Sequence, residues 1–161
     1  MLGALAGLRF WLDGGWGVDA LLGEQTRAHS DLDIAIDARD VDEALRRLAP
    51  HGYAHAADVE PGLPARYVLR DERGCQVDLH VLAFESGDGW QTLPDGGRGG
   101  YPGSELGNLG KIGDLEVPCI SPALQLRHHL GYEPTDRDRR DMRLLANRFG
   151  LRLPKTLEAG S

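Results

Sequence analysis

One short run constrains this chain more than any other. From Asp31 to Asp37 the residues Asp-Leu-Asp-Ile-Ala-Ile-Asp place Leu32, Ile34 and Ile36 at alternate positions. A period of two is the signature of a half-buried strand, predicted here over residues 30–38. Its three aliphatic side chains face a core, and Asp31 and Asp33 project together from the opposite face. Their Cα atoms stand roughly 7 Å apart, close enough for the carboxylates to repel unless a cation compensates them.

The flanking sequence supplies alternating element types. Leu8–Leu12 reads as a short strand stopped by Asp13-Gly14-Gly15, and Trp16–Leu22 as a helix that Gly23 caps. Asp40 is placed to N-cap a helix, with Glu43 completing a capping box and Val41, Ala44, Leu45 and Leu48 forming its apolar stripe; Pro50 to Gly52 ends it. Arg66–Leu69 and Cys75–Phe84 read as antiparallel strands. In the second, Val77, Leu79 and Val81 share one face, Asp78 and His80 the other. Residues 86–110 hold nine glycines with Pro94 and Pro102, and read as an extended loop over a site. Leu115–Ile120 is the last predicted strand, and Ser121-Pro122 opens a helix. A final helix runs from about Thr135 to Phe149, with Leu144, Leu145 and Phe149 inward; its run Asp136 to Asp141 reads as a solvated face with local ion pairs. The order of elements predicts one α/β (α+β) domain over residues 1–161, a mixed sheet flanked by helices, with C-terminal helices from about residue 121.

Composition narrows the function classes. The 161 residues carry 25 acidic and 18 Lys or Arg side chains, a formal charge of −7, which argues against a nucleic-acid partner. No apolar run approaches the roughly 20 residues of a membrane span, and the N-terminus lacks a signal-peptide pattern. Cys75 and Cys119 are too few for a disulfide framework. A cytoplasmic protein without membrane or nucleic-acid partners is expected.

Two readings compete at the first turn. Gly15-x-Gly17-x-x-Ala20, with Asp37 twenty residues past Gly17, matches a dinucleotide-binding fingerprint. That fold needs repeated βαβ units, and the middle of this chain offers an antiparallel pair instead. The other reading joins Gly14-Gly15 to Asp31-x-Asp33, with Asp78 as a third carboxylate on a neighbouring strand. Such oxygen-rich clusters are what Mg²⁺ accepts beside substrate phosphates, although an Asp-x-Asp pair alone also suits a solvated strand face. Three aspartates after a Gly-Gly turn favour the metal site.

The residues that carry this pattern resemble a family. Trp11-Leu12-Asp13-Gly14-Gly15-Trp16-Gly17-Val18-Asp19, followed by Gln25-x-Arg27-x-His29-x-Asp31-Leu32-Asp33-Ile34, resembles the small antibiotic nucleotidyltransferases of the polymerase-β-like superfamily. Val117-Pro118-Cys119-Ile120-Ser121 and His129-x-Gly131-Tyr132, with Asp138 and Asp141 downstream, are similar to the short lincosamide type, which neighbours the aminoglycoside 2″-adenylyltransferases. The resemblance implies a nucleotidyltransferase fold and Mg²⁺-dependent transfer of a nucleoside monophosphate, AMP from ATP or the equivalent from another NTP, to a hydroxyl of an antibiotic, a lincosamide with an aminoglycoside as the alternative, which confers resistance. It implies Asp31 and Asp33 as metal ligands, and Asp78 as a further ligand or the general base. Gly14 and Gly15 would admit the triphosphate at a helix start, where the dipole favours anions. Arg27 suits either a phosphate contact or a salt bridge, and Lys111 is a second candidate for phosphate. His80, Tyr101, His129 and Tyr132 are the candidate acceptor contacts. A homodimer that completes the acceptor pocket is expected. A nucleotidyltransferase-like antitoxin module is the alternative of a different class.

Overall fold

The computed structural model describes residues 1–61, 65–130 and 132–158; Gly131 of the His129-x-Gly131-Tyr132 turn lies outside them. Nine strands and five α-helices are described: β1 Phe10–Leu12, α1 Gly14–Leu22, β2 Asp31–Asp37, α2 Val41–Leu48, β3 Ala54–His55, β4 Arg66–Arg70, β5 Gln76–Glu85, β6 Asp88–Thr92, β7 Arg98–Tyr101, β8 Asn108–Ile112, β9 Leu115–Cys119, α3 Pro122–His128, α4 Asp136–Phe149 and α5 Lys155–Glu158. Ahead of β1 the described residues form a 3-10 turn, Leu2–Leu5, whose Leu5 is buried.

The main sheet runs β3-β4-β5-β2-β1-β9-β8. It is mixed, as predicted: β2 lies parallel to β5 and β1 parallel to β9, while the other pairs are antiparallel. The β2–β5 register sets Asp33 beside Asp78, so the two carboxylate-bearing strands meet with their polar faces on the same side. On the other side Leu32, Ile34, Ile36, Val77 and Leu79 join Leu12 and the inward residues of α1 and α2 in the main core. Each fully buried Leu or Ile there contributes about 1.5–3 kcal/mol relative to exposure. A second cluster, Trp11, Ala35, Leu82, Tyr101, Ile120 and Leu124, anchors the polar face from beneath. A third packs Val18 of α1 against α4 and α5.

Several local expectations need correction. Residues 86–110 are not an open loop. They fold into the β6–β7 hairpin, a 3-10 turn at Gly103–Glu105 and β8. Asp40 makes no side-chain cap; its Oδ2 accepts from Arg9 N instead, and Glu43 pairs with Arg46 and Arg47. The reciprocal capping box sits at α4, between Thr135 and Asp138. Phe149 is exposed, and Met142, Leu145 and Ala146 form the inward face of α4. Asp141 belongs to no solvated face: it is 2% exposed.

Candidate active site

The polar face of β2 and β5 opens into a cleft of about 610 Å³, walled by the start of α1, the β6–β7 hairpin and the α3–α4 corner. Asp31, Asp33, Gly14, Gly15, Arg27, His80, Tyr101, His129 and Tyr132 all line it. Asp78 lies just beneath, buried, with Arg66 donating to Oδ2 and Gln76 Nε2 to Oδ1 at 2.9 Å. Lys111 is placed elsewhere, on the β8 edge, where it borders a small hollow with Trp16, Asp19 and Gly23. Trp90 also stays out of the cleft; its ring carries the Arg98 guanidinium at 4.0 Å.

Gly14 shows why the turn needs glycine. Its φ is +57°, and a Cβ there would stand 2.1 Å from Asp33 Oδ2. The missing side chain lets the helix start and the carboxylate share one space. Asp13 caps this helix, Oδ1 accepting Gly14 N at 2.7 Å. Its Oδ2 accepts the Tyr101 hydroxyl at 3.3 Å and lies 3.3 Å from His128 Nδ1. Burial works against the Asp13 anion, yet the His128 hydrogen bond and charge, the nearby His80 and the Gly14 N–H hold its pKa below the usual value. Burial and the Asp13 and Asp33 charges push the Tyr101 phenol well up, so it remains a donor.

Arg27 is held by its neighbour in α4: Nε and Nη2 donate to Asp141 Oδ2 at 2.9 and 2.8 Å. Arg140 of the same helix returns a bond to Thr26 O at 3.1 Å. Behind them the buried pair His29–Asp19, 2.5 Å apart, fixes the segment that leads into β2, with Thr26 also donating to Asp19. The salt-bridge and cleft readings of Arg27 therefore coexist, since the paired guanidinium still borders the cleft.

At the opposite rim His129 Nε2 approaches Asp138 Oδ1 at 3.6 Å. Desolvation and the Asp138 charge raise Tyr132 to about 12. On β5, burial disfavours charge on His80, but the Asp33 hydrogen bond and the Asp13, Asp33 and Asp78 charges outweigh it and raise its pKa. Ligand atoms of Asp33, Asp78 and His80 lie within 4.8 Å of one another. Asp31 is not among these three but lines the same cleft two residues along β2, and with it the donors are mostly oxygen, a set that fits Mg²⁺.

Sequence reasoning missed Asp13, Gln91 and His128. Asp13 has a signal, an N-cap acid directly before Gly14-Gly15; Gln91 has none, because the glycines around it make its strand read as loop. A second cavity of about 470 Å³, between Trp16, Tyr53, Cys75 and Leu115, holds no cluster of facing acids.

A family model described as aminoglycoside-2″-adenylyltransferase matches residues 4–145. The chain belongs to that family. This adenylyltransferase-family enzyme is 34% identical over 137 residues to a lincosamide resistance protein of Staphylococcus haemolyticus, across 84% of this chain and 83% of the relative. Its structure matches that of LnuA, a lincosamide antibiotic adenylyltransferase solved with lincomycin, with a TM-score of 0.74 and 33% identity over 89% of each chain. It also shares the fold of ANT(2″)-Ia in complex with adenylyl-2″-tobramycin, TM-score 0.67, at 20% identity over 98% of this chain and 88% of that one. The nucleotidyltransferase fold and enzyme class expected from the sequence are thereby established, and the dinucleotide-binding reading falls. No helix of the described residues is long and apolar enough to cross a membrane.

Proposed function

We propose that this enzyme transfers AMP from ATP to a hydroxyl of a lincosamide antibiotic, with Mg²⁺ as cofactor, in the cytoplasm. The observation that carries the reading is the placement of Asp31 and Asp33 on β2 beside Asp78 on β5, at the N-terminus of α1. In this reading Asp31 and Asp33 hold the metal, with Asp78 in reach as a third carboxylate. Bound there, Mg²⁺ supplies charge stabilisation to the attacking and leaving oxygens of an in-line displacement at α-phosphorus.

The chain's own residues do the remaining work. The Gly15 backbone N–H and the positive end of α1 receive the triphosphate over the space that Gly14 leaves open, with Arg27 as a fixed cation at the same rim. Asp78, buried and paired with Arg66, serves either as a third ligand or as the base that takes the acceptor hydroxyl proton. Tyr101 and Tyr132 give the acceptor aromatic walls, His129 a polar contact, and Asp138 a carboxylate for an amine. Positioning by these walls supplies much of the rate. A second copy of the chain is proposed to complete the acceptor pocket, which sedimentation of the enzyme with and without acceptor tests.

The acceptor is decided by mass spectrometry of lincomycin, clindamycin, tobramycin and kanamycin after incubation with enzyme, ATP and Mg²⁺. The reading expects an added AMP mass on the lincosamides and little or none on the aminoglycosides. The reverse pattern overturns the acceptor and leaves the transfer chemistry standing. No adduct and no pyrophosphate with any acceptor would favour the antitoxin-like module.

A further inference from the structure

The cluster of Asp33, Asp78 and His80 invites the view that the imidazole is a third metal ligand. Its other neighbours argue otherwise. His80 Nε2 lies 3.4 Å from Asp33 Oδ1, and Nδ1 lies 3.1 Å from Gln91 Nε2. Which end of the Gln91 amide faces the ring is fixed by a third group. Gln91 Nε2 also lies 3.3 Å from the carbonyl oxygen of Ala65, which accepts Val81 N at 2.9 Å and so is itself held in place. A carbonyl oxygen only accepts, so the Gln91 atom facing it must be the NH₂ group, and that group also faces Nδ1. Turning the amide would set two oxygens against each other.

We propose that Gln91 fixes His80 in the tautomer protonated at Nε2, and that His80 is a positioning residue which donates to Asp33. The sequence of donors runs from Gln91 on β6 to His80 on β5 to Asp33 on β2, each group leaving the next only one role. Asp33 is thus oriented from one side by His80 and confined on the other by the close approach of Gly14. A hard cation such as Mg²⁺ prefers oxygen to imidazole nitrogen, which leaves His80 free to hold a ligand in place of being one. Partners of this outer kind, when removed, typically cost roughly 10–100-fold in metal affinity or activity. The β6–β7 hairpin accordingly takes part in the site through a residue that acts on Asp33 by way of His80. This assignment rests on Asp33 being a metal carboxylate, as proposed above.

The tautomer is read directly by long-range ¹H–¹⁵N correlation of the histidine rings in the full-length protein, with His80 assigned by comparison with His80→Gln. At a pH above the raised pKa of the imidazole, the expected result is a neutral ring protonated at Nε2, unchanged when Mg²⁺ is added. In Gln91→Leu the two tautomers should mix, and in Gln91→Glu the new carboxylate should draw a proton onto Nδ1. The Mg²⁺ concentration for half-maximal pyrophosphate release should rise roughly 10–100-fold in His80→Leu, with His80→Gln recovering part of the loss through its own amide donor. A ring protonated at Nδ1 in the wild type overturns the proposal, as does loss of the Nε2 proton on adding Mg²⁺, which would make His80 a ligand. A Gln91→Leu spectrum identical to wild type removes Gln91 from the assignment. Should Asp33→Asn bind Mg²⁺ as well as wild type while the tautomer is as expected, the metal reading fails and the donor chain stands.

Discussion

Replacing Gly14 by alanine separates two costs that usually arrive together. The backbone there sits at φ +57°, where an L-residue is disfavoured by about 1–2 kcal/mol. For a domain of this size that lowers Tm by about 2–8 °C. The new Cβ would lie 2.1 Å from Asp33 Oδ2, the free end of a side chain, so the carboxylate yields and the backbone does not. Asp33 must withdraw by about 1 Å, a displacement that can cost ~10²-fold in rate at a reacting centre. Gly110→Ala provides the contrast. Its Cβ would lie 2.6 Å from the Ala20 carbonyl carbon, backbone against backbone, where β8 crosses α1. Such overpacking costs typically about 1–3 kcal/mol, remote from the carboxylates. Calorimetry and pyrophosphate release, measured on each variant well below its Tm, should show Gly14→Ala losing far more rate than stability and Gly110→Ala the opposite. A Gly14→Ala enzyme that turns over near the wild-type rate would refute the argument that the glycine exists to make room for Asp33.

Other expectations follow from the same geometry. Asp31→Asn and Asp33→Asn should abolish transfer with the fold intact, and titration calorimetry should find that Mg²⁺ no longer tightens ATP binding; an undiminished metal effect in both would remove the carboxylates from the metal site. Asp78→Asn should lose ~10²–10⁴-fold in rate with Mg²⁺ binding kept if the carboxylate is the base, whereas loss of Mg²⁺ binding would make it a ligand. Asp37 is held below its ordinary pKa chiefly by the Arg39 hydrogen bond, against the cost of burial and with Arg9 assisting. A depressed folded-state value gives stability that is full above the unfolded pKa near 3.9 and is lost as pH falls through the folded one. The urea midpoints of wild type and Asp37→Asn should therefore differ most at neutral pH and converge below about pH 4; a gap that stays constant through that range contradicts the assignment.

What the sequence revealed tracks how local each signal is. The alternation of Leu32, Ile34 and Ile36 needs no distant partner, and the strand, its faces and its carboxylates were legible from it. The β6–β7 hairpin was not, because Gly89, Gly99 and Gly100 occupy places where alternating side chains would announce strands. Gly89 leaves room for the Phe84 ring, which would stand 3.1 Å from a Cβ there. The Asp95-Gly96 pair at the hairpin turn was the available clue, diluted by the glycines around it. The burial of Asp141 is hidden in the sequence for a related reason. Its surroundings in sequence, Asp136 to Arg140, form the usual pattern of helix-surface ion pairs, while its actual partner, Arg27, is 114 residues away. Gln91 carries no local mark at all, since its role is set by a histidine on one strand and a carbonyl on another.

The position of β1 has a consequence for how the chain is made. This three-residue strand of Phe10, Trp11 and Leu12 is flanked by β2 on one side and, from the far end of the sequence, by β9 on the other. Until residues 115–119 have left the ribosome, β1 is the open border of the sheet, and it is almost wholly apolar. Exposed apolar borders recruit strands from other molecules. A nascent or truncated chain ending before Leu115 should therefore associate with its own kind, and a mutation that delays β9 should reduce yield from cells without altering the activity of the molecules that finish folding.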